Sequence, residues 1–280
     1  MTHAPLELSY SRIGDLGCPY FYQAREIRGV DSPDSFWAHV GTLGHAVIAE
    51  YVEVMTQTNI YRVQKGYGFM PFHGGLVEKA TMKYLADEPA HVVEAVRDAL
   101  DNFMSRFRLT ENSVYVMETR LAVDRTFTPC KPDAPRDRFG GTPDMVEINA
   151  AHGYTRITDN KMGWMKFGMG ELIERADGTM SRPGTQLRLY AALYMMCNPD
   201  VREVSVRLVA PRFFSQDDHA WTYETAVPWA QERISSAYTR LDDMRAKYGE
   251  KDWPCEATAN CQYCSLSCPD SVFDIYEEAV

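Results

Sequence analysis

The sequence predicts an α/β fold: a mixed central sheet flanked by helices, with a helical lobe ahead of it and a cysteine-rich tail behind. Three observations lead there. Apolar residues recur at helical spacing through the first 110 positions, and they alternate at strand spacing between Ser113 and Lys161. A helix, two more strands and a long helix then follow in turn, the order of an α/β core. The expected division is a single domain over 1–280, with a helical lobe at 1–110, a core at 111–250 and the cysteine tail at 251–280.

The elements follow in order. Leu8 to Gly29 reads as a helix broken in its middle by Cys18-Pro19, because proline removes a backbone donor and clashes with the preceding turn. Ser32-Pro33-Asp34 has the chemistry of a helix start. In the next helix, Phe36, Val40, Val47, Tyr51 and Met55 fall at three- to four-residue multiples. Tyr61 to Phe72 is rich in glycine and aromatics without a period and reads as a loop. Helices are expected at Gly75 to Ala86 and Ala90 to Phe107. Strands are expected at Ser113 to Asp124, Phe139 to Asn149 and Tyr154 to Lys161, the last two joined at Ala151-His152-Gly153. Gly184 to Cys197 reads as helix, Val201 to Phe214 and Ala220 to Val227 as strands, and Trp229 to Tyr248 as a long helix.

Composition narrows the class. At 45% hydrophobic and 24% charged residues the chain is ordinary for a globular protein, and it is long enough to bury a core. No run approaches the 18 or so apolar residues of a membrane span, and the first thirty positions lack a secretion signal, so the expected location is the cytoplasm. A net charge of -10 argues against a nucleic-acid partner, which ordinarily meets a basic surface. Clustered carboxylates holding divalent ions would weaken that objection, as would local basic groups such as Arg202, Arg207 and Arg212.

The chemistry-bearing residues gather on the expected strands. Asp144 opens one in Gly141-Thr142-Pro143-Asp144, and Asp159 and Lys161 lie on the next. Positions i and i+2 of a strand share a face, so Asp159 and Lys161 point together, and hairpin pairing would bring Asp144 near. Two carboxylates in one place repel unless a cation lies between them; Mg²⁺ or Mn²⁺, which prefer oxygen ligands, fit that need. A lysine beside such a metal can position the attacking water and offset transition-state charge. Taken alone, Asp-x-Lys is more often a surface ion pair at a strand end, and it is the company of other residues that favours a site. His45 sits on the long N-terminal helix with Gly41 one turn before it, where a small residue leaves room for another backbone or a metal. Gln186 and Tyr190 lie at i and i+4, able to orient a phosphate or the lysine. Glu118 is open to two readings, a further carboxylate at the site or an exposed strand residue.

In this order, Gly-x-x-x-His, Gly-x-x-Asp, Asp-x-Lys and Gln-x-x-x-Tyr, the chain resembles the RecB-like branch of the PD-(D/E)XK nuclease superfamily, over Ser9 to Cys268. That branch includes CRISPR-associated and phage exonucleases. The resemblance implies a restriction-endonuclease-like core and a Mg²⁺- or Mn²⁺-dependent deoxyribonuclease. It implies metal ligation by His45, Asp144, Asp159 and the Asn160 carbonyl, with Lys161 catalytic and Gln186 and Tyr190 supporting. It also implies an exonuclease acting on single-stranded DNA or free ends, in repair, recombination, phage replication or CRISPR adaptation. A structure-specific endonuclease and a non-catalytic DNA-binding subunit are the alternatives. No phosphate-loop motif is present, so a helicase partner would be a separate chain. Trp164, Phe167, Phe213 and Phe214 are aromatics able to stack on bases, though core packing is the more usual role for most of them.

Seven cysteines remain, at 18, 130, 197, 255, 261, 264 and 268. Four lie in the tail, Cys255, Cys261, Cys264 and Cys268, a clustering that in a reducing compartment suits a metal site, and spacing alone leaves zinc open. The family resemblance implies a 4Fe–4S cluster on Cys18, Cys261, Cys264 and Cys268, with Cys255 a substitute because the interval between Cys264 and Cys268 is short. Cys130 and Cys197 read as plain buried or loop residues.

Overall fold

Alternation of side chains across a five-stranded sheet divides the apolar residues into two cores, one on each face. The computed structural model describes residues 7–30, 36–162, 173–175, 178–211, 215–249 and 251–256. The chain opens with a short strand β1 (Glu7–Leu8), helix α1 (Tyr10–Asp15) and helix α2 (Pro19–Tyr22), which runs on as a π-helical turn over Gln23–Ile27. The break expected at Cys18-Pro19 is present: Cys18 is the cap residue before α2 and Pro19 its first residue. Three helices follow, α3 (Phe36–Gln64), α4 (Gly74–Leu85) and α5 (Ala90–Arg106). The expected loop from Tyr61 therefore begins one turn late, since α3 continues through Gln64 and is closed by turns at Lys65 and Gly66. The helix start read at Ser32-Pro33-Asp34 lies outside the described residues, as do Trp164, Phe167, Arg212, Phe213 and Phe214.

The remaining elements are β2 (Ser113–Met117), β3 (Leu121–Asp124), β4 (Arg138–Gly141), β5 (Met145–Asn149), β6 (Tyr154–Asn160), α6 (Arg182–Cys197), β7 (Glu203–Ala210), β8 (Ser215–Thr222) and α7 (Tyr223–Tyr248). Five strands form the main sheet in the order β2-β5-β6-β7-β8, and β1-β4-β3 form a small second sheet. All neighbours in the main sheet are antiparallel except β6 and β7, which are parallel, with α6 in the connection between them. A parallel pair needs such a crossover.

Two expected strands are each split between the two sheets. Ser113 to Asp124 breaks at Glu118, which takes a positive φ of 47°, so β2 joins the main sheet and β3 the small one. Phe139 to Asn149 breaks at Thr142-Pro143-Asp144, where proline cannot donate to a ladder, so β4 and β5 part in the same way. The strand expected over Ala220 to Val227 is also corrected. It lies earlier, at Ser215–Thr222, and Tyr223 already opens α7 with Glu224 in its first turn, where a carboxylate favours the helix dipole. Of the strand expected over Val201 to Phe214, β7 covers Glu203–Ala210, and residues 212–214 lie outside the described residues.

On one face of the sheet, Val146, Ile157, Val204, Val206 and Leu208 pack with α6 and α7, whose Leu187, Leu193, Ile234 and Leu241 are fully buried. On the other, Met145 packs with Val47, Tyr51 and Met55 of α3 and with Val96 and Phe103 of α5. Each buried aliphatic or aromatic side chain contributes about 1.5–3 kcal/mol, so the two cores clamp the sheet from both sides. No helix among the described residues is long and apolar enough to cross a membrane.

The first and last described segments are clasped together. The buried Gln23 amide donates to Lys251 O (2.8 Å) and accepts from Trp253 N (3.0 Å), Tyr20 N donates to Pro254 O (3.0 Å), and the Trp253 ring stacks on Tyr22. Beneath the other face of the sheet, Glu147 accepts hydrogen bonds from Ser113 (2.8 Å), Tyr115 (3.1 Å) and Tyr154 (2.6 Å) and pairs with Arg156 (3.2 Å). Burial acts to raise its pKa, but Tyr154, Ser113 and Arg156 outweigh burial and hold it below the usual carboxylate range. A carboxylate depressed on folding adds stability above its unfolded pKa and loses it as pH falls through the folded one. Glu147→Gln should therefore lower Tm at neutral pH and flatten its decline below about pH 4, read from thermal melts at stepped pH; parallel melting curves for the two proteins would contradict this.

Candidate active site

The residues singled out from the sequence come together where β5 begins and β6 ends. Pairing of Met145 with Thr158 sets Asp144 beside Asp159-Asn160, so the hairpin register alone brings two carboxylates to one place. Asp144 Oδ2 accepts from the Asn160 backbone N–H at 2.6 Å, which locks the strand ends in that register. From α3, His45 sets Nε2 2.6 Å from Asn160 O and Nδ1 3.4 Å from Asp144 Oδ1. On the face toward α6, Lys161 Nζ stands 2.6 Å from Asp159 Oδ2 and donates to Gln186 Oε1 at 2.9 Å, while Gln186 Nε2 donates to Tyr190 OH at 2.8 Å. An ammonium has no acceptor, so Gln186 must turn its carbonyl to Lys161 and its NH₂ to Tyr190. The tyrosine thus accepts from the amide and keeps its own O–H free to donate.

Burial sharpens the electrostatics. Asp159 is only 2% exposed, and that burial pushes its pKa up, with Asp144 adding to the rise while Lys161 and His45 oppose it. For Lys161, burial acts downward, but the Asp159 and Asp144 charges outweigh it and keep the ammonium protonated. His45 behaves alike: burial disfavours its charge, yet Asp144, the Asn160 carbonyl and Asp159 raise its pKa above the usual value. Burial and both carboxylates hold Tyr190 as a neutral phenol by pushing its pKa up.

The donor set suits a hard divalent cation. Asp144, Asp159 and the Asn160 carbonyl supply oxygens, and His45 supplies one imidazole nitrogen. Among the described residues no three His, Cys, Asp or Glu side chains stand as a ready metal group. Asp159 is drawn toward Lys161, and the Asn160 carbonyl, a backbone donor, holds the place between Asp144 and His45.

Two glycines make this arrangement fit. A Cβ on Gly141 would lie 2.6 Å from Tyr190 Cε1, so the Gly-x-x-Asp glycine is the floor on which the tyrosine ring rests. On α3 the close packing falls at Gly44, where a Cβ would meet Met162 Cε at 2.7 Å, and not at Gly41, where one would meet nothing within 4 Å among the described residues. Glu118 joins the site through its backbone: its N–H donates to Asp144 O at 3.0 Å while its side chain is exposed. Cys18 is buried and two residues from the Tyr20–Pro254 hydrogen bond, with Cys255 next along that segment; Cys261, Cys264 and Cys268 lie outside the described residues. Cys130 and Cys197 are half-buried free thiols. Arg202 and Arg207, grouped in the sequence as basic, are each spent on a carboxylate, Glu224 and Asp218. Sequence reasoning missed Tyr10 as a neighbour of the site; its phenol lies within electrostatic reach of Lys161 and donates to Arg182 O at 2.7 Å. Only the tertiary fold carries that signal.

The family model that describes the PD-(D/E)XK nuclease superfamily matches residues 7–268. Among solved structures, the chain is similar to a "Putative exonuclease" from Eubacterium rectale, at 12% identity and a TM-score of 0.48, over 96% of this chain and 92% of that one. It is also similar to the protein SSO0001, at 9% identity and a TM-score of 0.34, over 96% and 89%. No curated protein matches the sequence.

The Gly141 contact yields a direct test. Gly141→Ala should destabilise the fold by about 1–3 kcal/mol through overpacking, and by clearly less in a Tyr190→Val background. A double-mutant cycle in urea reads the coupling; additive losses would show that the ring is not what the methyl meets.

Proposed function

From the membership of this chain in the PD-(D/E)XK nuclease superfamily, we propose that it is a Mg²⁺- or Mn²⁺-dependent DNA exonuclease whose site is the constellation at the β5–β6 end. One observation carries this reading: two carboxylates, a backbone carbonyl and an imidazole converge beside a half-buried lysine. A bound divalent cation supplies Lewis acidity at the phosphoryl oxygen and a more acidic water. Asp144, Asp159, His45 and the Asn160 carbonyl would hold it. Lys161, kept charged by its carboxylate neighbours and aimed by Gln186, is set to orient the nucleophile and to offset charge on the scissile phosphate. Tyr190 fixes Gln186 and so acts as a positioning residue.

The test is cleavage of end-labelled single-stranded DNA with Mn²⁺, with chelator, and by Asp159→Ala. We expect metal-dependent stepwise shortening, reduced roughly a hundred- to thousandfold in the variant. Cleavage by Asp159→Ala at the wild-type rate would sink the assignment of residues. An intact, DNA-binding wild type that cleaves nothing would favour the non-catalytic alternative, and cleavage of an end-blocked circle would favour an endonuclease.

A 4Fe–4S cluster on Cys18, Cys261, Cys264 and Cys268, with Cys255 as a substitute, belongs to the same reading. The clasp that brings the segment after α7 alongside α2 supports it, as does the buried thiol of Cys18. Its role would be structural, since phosphodiester hydrolysis transfers no electron. Anaerobically purified protein should contain iron and absorb visible light, and Cys18→Ala should lose both along with thermal stability. Stoichiometric zinc in place of iron would replace the cluster with a closed zinc site.

A further inference from the structure

Arginine pairing is uneven over this acidic chain. Arg12, Arg25, Arg97, Arg125, Arg136, Arg156, Arg202 and Arg207 each stand against a carboxylate. Among the described residues Arg62, Arg108, Arg175, Arg182, Arg188, Arg233 and Arg245 have no such partner. Arg62 and Arg108 bond to backbone carbonyls, whereas Arg182, Arg188 and Arg233 gather around Tyr10 of α1 and Trp229 of α7, with Asp15 the carboxylate in the field of Arg182. Arg188 and Arg233 both lie over the Trp229 ring, at 4.4 and 5.7 Å, and Arg188 is anchored by a 2.8 Å hydrogen bond to Thr225 O. Arg182 and Gln186 are one turn apart on α6, so both fall on the same face of that helix. Tyr10 ties α1 to this point through its bond to Arg182 O, and it stands in the field of Arg182, Arg233 and Lys161 alike. Of the three arginines, Arg233 also lines a groove of about 510 Å³ between Ile13, Gly14 and Gly17 of the α1 region and Trp229 and Arg240 of α7, the Ile13 end of which follows Tyr10 on α1. Arg240 caps Leu16 O and Gly17 O and faces Glu256, and Glu232 is the groove's one carboxylate among its described lining residues.

Arg182 and Arg233 are exposed guanidinium groups with no carboxylate bonded to them, free to meet an anion, and such groups beside a site for phosphodiester chemistry fit a polyanion. We propose that the groove between α1 and α7 is the track for the nucleic-acid strand adjoining the scissile bond, with Arg182 and Arg233 holding successive phosphates. This rests on the nuclease reading above. Trp229 is a positioning residue: it holds Arg188 and Arg233 by cation–π contact, and an aromatic plane so placed also suits an incoming base.

The test is binding of a labelled oligothymidylate to the full chain in chelator across a salt series, for wild type, Arg182→Gln, Arg233→Gln, the double variant and Arg97→Gln. Each groove variant should weaken binding several-fold and flatten the plot of log K against log salt by about 0.7 for the phosphate it loses. Arg233→Lys should recover the slope, and Arg97→Gln, at a remote ion pair, should leave it unchanged. Wild-type cleavage with Mn²⁺ in parallel separates the two readings. Cleavage with slopes untouched by Arg182→Gln and Arg233→Gln overturns the groove and leaves the nuclease. Slopes that flatten as expected without any cleavage keep the groove and overturn the nuclease. A wild type that does not bind the oligonucleotide overturns both.

Discussion

A buried carboxylate and a half-buried ammonium, 2.6 Å apart, constrain everything packed around them. Asp159 and Lys161 together cost less in a low dielectric than either alone, but the pair remains expensive unless its remaining valences are met. Gln186 meets one from α6, while beside the pair His45 from α3 faces Asp144, which the Asn160 N–H holds in place. Each of these comes from a different element, so the elements must dock with sub-ångström agreement for the pair to be tolerated. The two apolar cores supply that agreement by clamping the sheet on both faces.

The same logic explains the glycines. Gly141 admits the ring of Tyr190, Gly44 admits Met162, and a Cβ on Gly184 would strike Ile173 O at 2.2 Å at the start of α6. Each marks a place where an element comes closer to the site than a side chain would allow. Local close approach thus sets the position of Gln186 and Tyr190, and through them the aim of Lys161.

Much of this was legible in the sequence because it depends on short periods. A period of two sets Asp159 and Lys161 on one face, and i, i+4 spacing sets Gln186 beneath Tyr190, whatever the rest of the chain does. What was not legible depends on tertiary partners. Alternation continues across Glu118 and across Pro143 although the strand changes sheets there, since period says nothing about which neighbour a strand takes. The edge strand β8 begins with Ser215-Gln216-Asp217-Asp218, too polar to signal a strand, because one edge is open and one face solvated. Gly41 and Gly44 are equivalent by composition, and only the position of Met162 distinguishes them. Unpaired arginines are invisible until every other charge has found its partner.

The clasp between Gln23 and Trp253 spans 230 residues of chain. During synthesis the buried amide of Gln23, in the turn that follows α2, therefore waits for residues 251 to 253 before it can be satisfied, and the parallel β6–β7 pair waits for α6 in between. The segment from β1 to the π-helical turn finds its first partners in β4 and α6 and completes its docking only against the residues after α7. Until then its apolar face, with Tyr22 and Leu16, stands exposed to wrong partners, so crowding, slow translation and chaperone supply should govern the yield of this protein more than its final stability does.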